Sequence, residues 1–142
     1  MRPAGPTAPT AVTLVRSESL FTGVPYAYAA TAPADARFVF LAGVCPLNAD
    51  GTTAGVGDIA AQAAKCVENL RTALADAGAG LIDVISTRVL VASTDRADLG
   101  IAWEVVHDAF GEHEVPSTLL GVTVLGWEHQ LVELEAVAAV RD

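Results

Sequence analysis

An α+β fold, one mixed sheet with two helices packed on one face, is what this sequence predicts. Two stretches, residues 60–77 and about 96–110, each carry a single apolar stripe at helical spacing. Each lies between short runs rich in β-branched and aromatic residues, so a strand–helix–strand unit occurs twice at comparable length. A chain of 142 residues builds one substantial core, so residues 1–142 are read as a single domain.

The elements follow in order. Residues 1–9 hold three prolines and two alanines without a period, and a loose lead-in is expected there. Residues 11–15 are a short β-branched run and a first strand, and residues 26–31 an irregular edge strand. Phe38 to Ala42 form a continuous apolar run ending at Gly43, the pattern of a buried strand. Asn48-Ala49-Asp50-Gly51 is a turn. Ala60, Ala63, Val67, Leu70, Leu74 and Ala77 make the first helical stripe, with Asp58 to cap its start and Gly78 to end it. Residues 83–92 are a strand rich in Val and Ile. Ser93-Thr94-Asp95 caps a second helix that buries Leu99, Ala102, Val106 and Ala109 and stops at Gly111. Two strands close the chain, residues 117–124 and 130–140, joined by Gly126-Trp127-Glu128-His129. These late strands read as apolar on both faces, so other subunits are expected to cover the face that the helices leave open.

Composition narrows the function. The chain is 52% hydrophobic and only 18% charged, an apolar excess that a subunit interface absorbs. Its net charge of −9 repels phosphate backbones, so nucleic acid is not an expected partner. No apolar run reaches the ~18 residues of a membrane span, and the first residues lack a signal peptide's apolar core; no membrane partner and a cytoplasmic location are expected. Cys45 and Cys66 lack CxxC spacing and read as reduced thiols of a cytosolic core. His107, His113 and His129 show no metal-ligand spacing and read as surface residues. There is no phosphate loop, dinucleotide fingerprint or Ser-His-Asp spacing, so neither a metal nor a cofactor is expected.

Glu133 and Glu135 stand two apart on the last strand, on one face and about 6.6 Å apart along the backbone. They read either as a solvated strand face or as carboxylates in a half-apolar cleft, where Glu133 would suit proton transfer. Thr118 shares a face with Leu120 and Val122. Trp103 reads either as core or as a pocket wall that stacks on a flat ligand. Arg88 reads as a partner for an acidic side chain.

Several segments together resemble the Rid family, also called the YjgF family, whose best-known members hydrolyse reactive enamines and imines. They are Pro25-Tyr26, Val39-Phe40-Leu41-Ala42-Gly43, the helix with Gln62, Glu68-Asn69-Leu70 and Ala77-Gly78-Ala79, then Phe110-Gly111-Glu112-His113 and Glu133-Leu134-Glu135-Ala136-Val137-Ala138. The resemblance spans roughly Tyr26 to Val140. It implies a chorismate-mutase-like fold, a homotrimer and small-molecule pockets in the clefts between subunits. It implies site roles for Tyr26, for Gly43 and for Glu133, which would hold a water. Pro116-Ser117-Thr118 stands where those deaminases read Pro-Ala-Arg, so Thr118 replaces the arginine that clamps a substrate carboxylate. Trp103 falls where a pocket asparagine is common, Leu120 where a cysteine is frequent, and Ala42 where a serine is usual.

A hydroxyl does not replace a guanidinium fork. A carboxylate-bearing imine is therefore expected to bind poorly, unless Arg37, Arg88 or a neighbouring subunit supplies the cation. The sequence leaves three readings. The first is a Rid-type enzyme in which Glu133 and Tyr26 are catalytic and Gly43, Thr118, Trp103 and Leu120 bind substrate, other than a typical 2-aminoacrylate deaminase. The second is an imine deaminase with a relocated cation. The third is a non-catalytic trimer that binds a metabolite or a partner. Some Rid proteins are described as ribonucleases, and the acidic charge argues against that activity here.

Overall fold

The computed structural model describes residues 9–142, so the expected lead-in, all but Pro9, lies outside the described residues. Six strands and two helices follow: β1 (Thr13–Val15), β2 (Ala29–Thr31), β3 (Arg37–Phe40), α1 (Ile59–Asp76), β4 (Val84–Val91), α2 (Arg96–Phe110), β5 (Ser117–Gly121) and β6 (Val132–Val140). Four of the strands make the mixed sheet, in the order β3-β6-β4-β5. The last strand inserts between β3 and β4, antiparallel to both, while β4 and β5 run parallel. Each strand–helix–strand unit is thus present, and the first is split by β6.

The helices form for the reasons the sequence gives. The Asp58 carboxylate accepts from the Ala61 amide at 2.9 Å, and Gly78 turns the chain away at φ +79°. The Asp95 carboxylate accepts from the Ala97 amide at 2.9 Å, and Gly111 closes α2 at φ +59°. Ala63, Cys66, Val67, Leu70 and Leu74 from α1 pack with Ala102, Val106 and Phe110 from α2 over Val132, Leu134, Ala136, Ala138 and Val140 of β6. Ala60, expected in the stripe, is exposed, and Ile59, one residue earlier, packs against the core instead.

Three expectations need correction. The first two strands do not join the main sheet. They pair only with each other, in a two-stranded ribbon, and leave the outer side of β3 unpaired. The run at β3 is not buried: Val39 faces the core, but Phe38 and Phe40 are 54% and 77% exposed. Side chains alternate along a strand, and β3 is an edge strand covered by helices on one face only. Nor is β6 apolar on both faces, since alternation places Glu133, Glu135 and Val137 opposite its buried residues.

One irregularity decides what the open face carries. A bulge between Val84 and Ser86 shifts the alternation of β4. Val84 is buried, and regular alternation would bury Arg88 with it. With the bulge, Thr87, Val89 and Val91 face the core, while Arg88 and Leu90 face outward.

Candidate functional site on the open face of the sheet

Glu133 sits on β6, directly opposite Leu90 of β4. Beyond β3 the chain returns to β6 and makes a single antiparallel bridge, Val44 to Leu134. The Val44 amide donates to the Leu134 carbonyl at 2.6 Å and the Leu134 amide donates back at 2.9 Å. Gly43 and Cys45, one residue to either side of Val44, are thereby delivered next to Glu133. From α1, Asn69 fixes this segment by donating to the carbonyls of Cys45 and Leu47 at 2.9 and 3.0 Å.

The glutamate is tightly seated. A Cβ on Gly43 would lie 2.8 Å from the Glu133 carboxyl carbon, closer than such contacts allow, so glycine is what gives the side chain its room. The Cys45 thiol donates to Glu133 Oε1 at 3.3 Å, and the Gln130 amide donates to the same oxygen at 3.2 Å. Burial, and then the hydrogen bond to the carboxylate, push the Cys45 thiol up to about 11, so it stays a protonated donor at neutral pH. Gln130 is itself held, accepting from the Trp127 amide at 3.1 Å. The buried Gln62 orders the start of β6: its amide donates to the His129 carbonyl at 2.9 Å and its oxygen accepts from the Leu131 amide at 2.7 Å.

A second group gathers across the sheet. Tyr26 meets Tyr28 edge-on at 5.8 Å and Trp103 edge-on at 6.4 Å, and Trp103 stacks on His107 at 5.7 Å. An open cleft of about 460 Å³ is lined by Pro25, Tyr26, Trp103, Ser117, Thr118 and Leu119. Trp103 is half-buried, packing against the core and lining this cleft.

The structure therefore brings Tyr26, Trp103 and Thr118 to one cleft, and Gly43 and Glu133 to another place on the same sheet. Leu120 lies between the groups, opposite Leu90 and so level with Glu133. Cys45, Gln130 and Trp127 were not picked out as site residues. The available signal was the position of Cys45, two residues beyond Gly43 and so on the same side of an extended segment.

Two histidines are not simple surface residues. The imidazole of His107 hydrogen-bonds Glu114 at 2.7 Å, and that of His113 the Val84 carbonyl at 2.8 Å. The Arg16 guanidinium also meets Glu114, at 2.8 Å. With His107 and Arg16 beside it, the Glu114 carboxyl is held below its ordinary range. Among the described residues, no group of three or more His, Cys, Asp or Glu side chains is placed to hold a metal ion. No helix of the described residues is long and apolar enough to cross a membrane.

Comparison with known proteins fits this architecture. The family model described as Endoribonuclease L-PSP matches residues 20–140. A RutC family protein of Pyrococcus abyssi is 33% identical over 102 residues, covering 72% of this chain and 78% of that protein. A conserved Rid family protein of Yersinia pestis superposes with a TM-score of 0.84 at 26% identity, over 92% of this chain and 99% of its own. Rv2704 of Mycobacterium tuberculosis, a member of the YjgF/YER057c/UK114 family, is 34% identical with a TM-score of 0.61, over 91% of this chain and 99% of its own.

Proposed function

Because this chain belongs to the Rid (YjgF) family, we propose that it is a small-molecule enzyme acting on a reactive enamine, imine or related carbonyl compound. Glu133 moves a proton, directly or through a water, in hydrolysis, tautomerisation or ring closure of the substrate. Tyr26 is the second catalytic group, and Gly43, Thr118, Trp103 and Leu120 shape the binding surface. The pocket is completed by a neighbouring subunit of a homotrimer, which brings the Tyr26–Trp103 cleft and the Glu133 side of the sheet into one site. No cofactor takes part.

One observation carries the reading: Glu133 is a carboxylate held in place by a neutral thiol and an amide, on a sheet face rich in apolar side chains. A solvated surface acid has no use for such a seat. A glutamate with directed donors can accept a proton at a fixed point. The protein is not a typical 2-aminoacrylate deaminase, because position 118 offers a hydroxyl and not a guanidinium.

The test is Glu133→Gln, assayed on a panel of oxidase-generated imines, enamines and enol–keto pairs. The variant should keep its assembly and melting temperature, because the neutral amide is less costly to bury. Turnover should fall roughly 10²- to 10⁴-fold, the usual share of general acid–base catalysis. Absence of any turnover by the native protein, or full turnover by an intact variant, would defeat the proposal and leave a binding protein.

A further inference from the structure

We infer that Arg88 is the anion-binding residue of this face, and that the ligand is a small monocarboxylic acid bearing a flat group. This rests on the reading that the open sheet face is the ligand site, but not on the chemistry assigned to Glu133.

Arg88 lies on β4, an interior strand, and the bulge at Val84/Ser86 turns it out of the core. In register it stands beside Thr118 on one side and Glu135 on the other. Since Glu133 faces Leu90, Arg88 is its diagonal neighbour, about 7–8 Å away between backbones. A cation and an acid thus share one face of adjacent strands at a spacing that a small molecule spans.

The guanidinium is only loosely committed, to the acidic partner that the sequence reading gave it. Arg16, Arg37 and Arg141 hold their carboxylates at 2.8, 3.0 and 2.9 Å. Those are hydrogen-bonded distances. Arg88 approaches Glu135 only to 3.8 Å, and its side chain is 63% exposed. No hydrogen bond from it is found among the described residues. A planar fork with free donors suits a carboxylate, which it can grip through two parallel bonds. Arg37, the other cation weighed from the sequence, is tied to Asp142 at the far edge strand.

The surroundings define the rest of the ligand. Arg88 lines an open cleft of about 250 Å³ together with Tyr26, Tyr28, Ser117 and Thr118. The tyrosine rings offer an apolar wall, while Thr118 adds one hydroxyl beside the guanidinium. The charge lies one strand, about 4.8 Å, from position 118. A three-carbon imine anchored by its carboxylate at Arg88 would therefore present its C=N bond out of step with a site built around position 118, whereas a longer, flat acid could reach.

The probe pair is phenylacetate and phenylacetamide, equal in shape and differing in charge. Binding to the full-length protein is followed by calorimetry or by chemical-shift changes, with no turnover required. Native protein should prefer the acid by roughly tenfold or more, the contribution expected of a charge-assisted bond. Arg88→Gln should abolish the preference, and Glu135→Gln should increase it by freeing the guanidinium. A preference that survives Arg88→Gln overturns the inference, as does a native protein that binds neither compound or both equally. Glu133→Gln should retain the preference. If it does and the native protein turns over nothing in the imine, enamine and enol–keto panel, the catalytic reading fails and the anion site stands.

Discussion

At the scale of single residues the site turns on how Gly43, Cys45 and Glu133 share space. The thiol and the carboxylate form one hydrogen-bonded unit, and glycine is the residue that admits it. Gly43→Ala should displace the carboxylate without straining the backbone, since Gly43 is not among the residues of positive φ. Two consequences follow from one cause. Turnover should fall to the level of Glu133→Gln. The Cys45 thiol, held at about 11 partly by Glu133, should move back toward its ordinary 9.0. Alkylation with iodoacetamide as a function of pH measures this, because only the thiolate reacts. Cys66 serves as the internal control, being fully buried and pushed higher still, chiefly by desolvation. An unmoved alkylation profile in Gly43→Ala would mean that the carboxylate finds another rotamer beside the thiol. The sequence reading names Glu133 and Gly43 but neither Cys45 nor Gln130. Cys45 reaches Glu133 from 88 residues away through the Val44–Leu134 bridge, and Gln130 from three residues back only because the turn before β6 folds it inward, so no strand or helix period announces either contact.

At the scale of elements, the legible parts are those whose causes are local. Both helices carry their stripes and caps in the sequence, and both appear within a residue or two of the expected bounds. What the sequence hid depends on distant partners: the insertion of β6 between β3 and β4, the separate ribbon of β1 and β2, and the bulge that turns Arg88 outward. The ribbon matters because it leads into Tyr26. It is fastened to the segment after α2 by the Ala27 amide, which donates to the Glu114 carbonyl at 2.8 Å, and by the Arg16–Glu114–His107 cluster. The Glu114 carboxyl is lowered from 4.5 by its hydrogen bonds to His107 and Arg16. A group with a depressed folded value stabilises above its unfolded value and loses that contribution as pH falls through the folded one. This fastening should therefore be complete from neutral pH down to about 4.5 and weaken below it. Hydrogen-exchange protection of the Tyr28 amide, which donates to Val15 within the ribbon, reports it. Protection should drop in acid in the native protein. In Glu114→Gln it should already be low at pH 7, with a flatter pH dependence. Identical profiles in the two proteins would remove Glu114 as the fastening.

At the scale of the whole molecule, charge and apolar surface pull toward different partners. A net charge of −9 opposes a phosphate backbone, so the family name Endoribonuclease L-PSP does not by itself bring RNA to this chain. The open face of the sheet invites a like partner instead. Phe38, Phe40 and Leu120 are 54%, 77% and 38% exposed there, on a chain in which 52% of residues are hydrophobic. The Phe38 and Phe40 rings meet at 6.3 Å, and exposed apolar surface of this kind marks an interaction site. A second copy of the chain brings the same aromatic surface and can cover it. Closed association of three copies would also carry the Tyr26–Trp103 cleft of one subunit to the Glu133 side of the next. Light scattering should give three times the chain mass of 14.6 kDa at micromolar concentration. Phe40→Glu should break the assembly, because it places a charge at the most exposed aromatic of the sheet face, where association would strip its water. The separated subunits should keep their helical content, since Phe40 contributes nothing to the core beneath the helices. They should lose turnover, because each then carries only part of the site. A native monomer at that concentration would sink the shared pocket, and a Phe40→Glu protein that remains trimeric would move the interface away from this face.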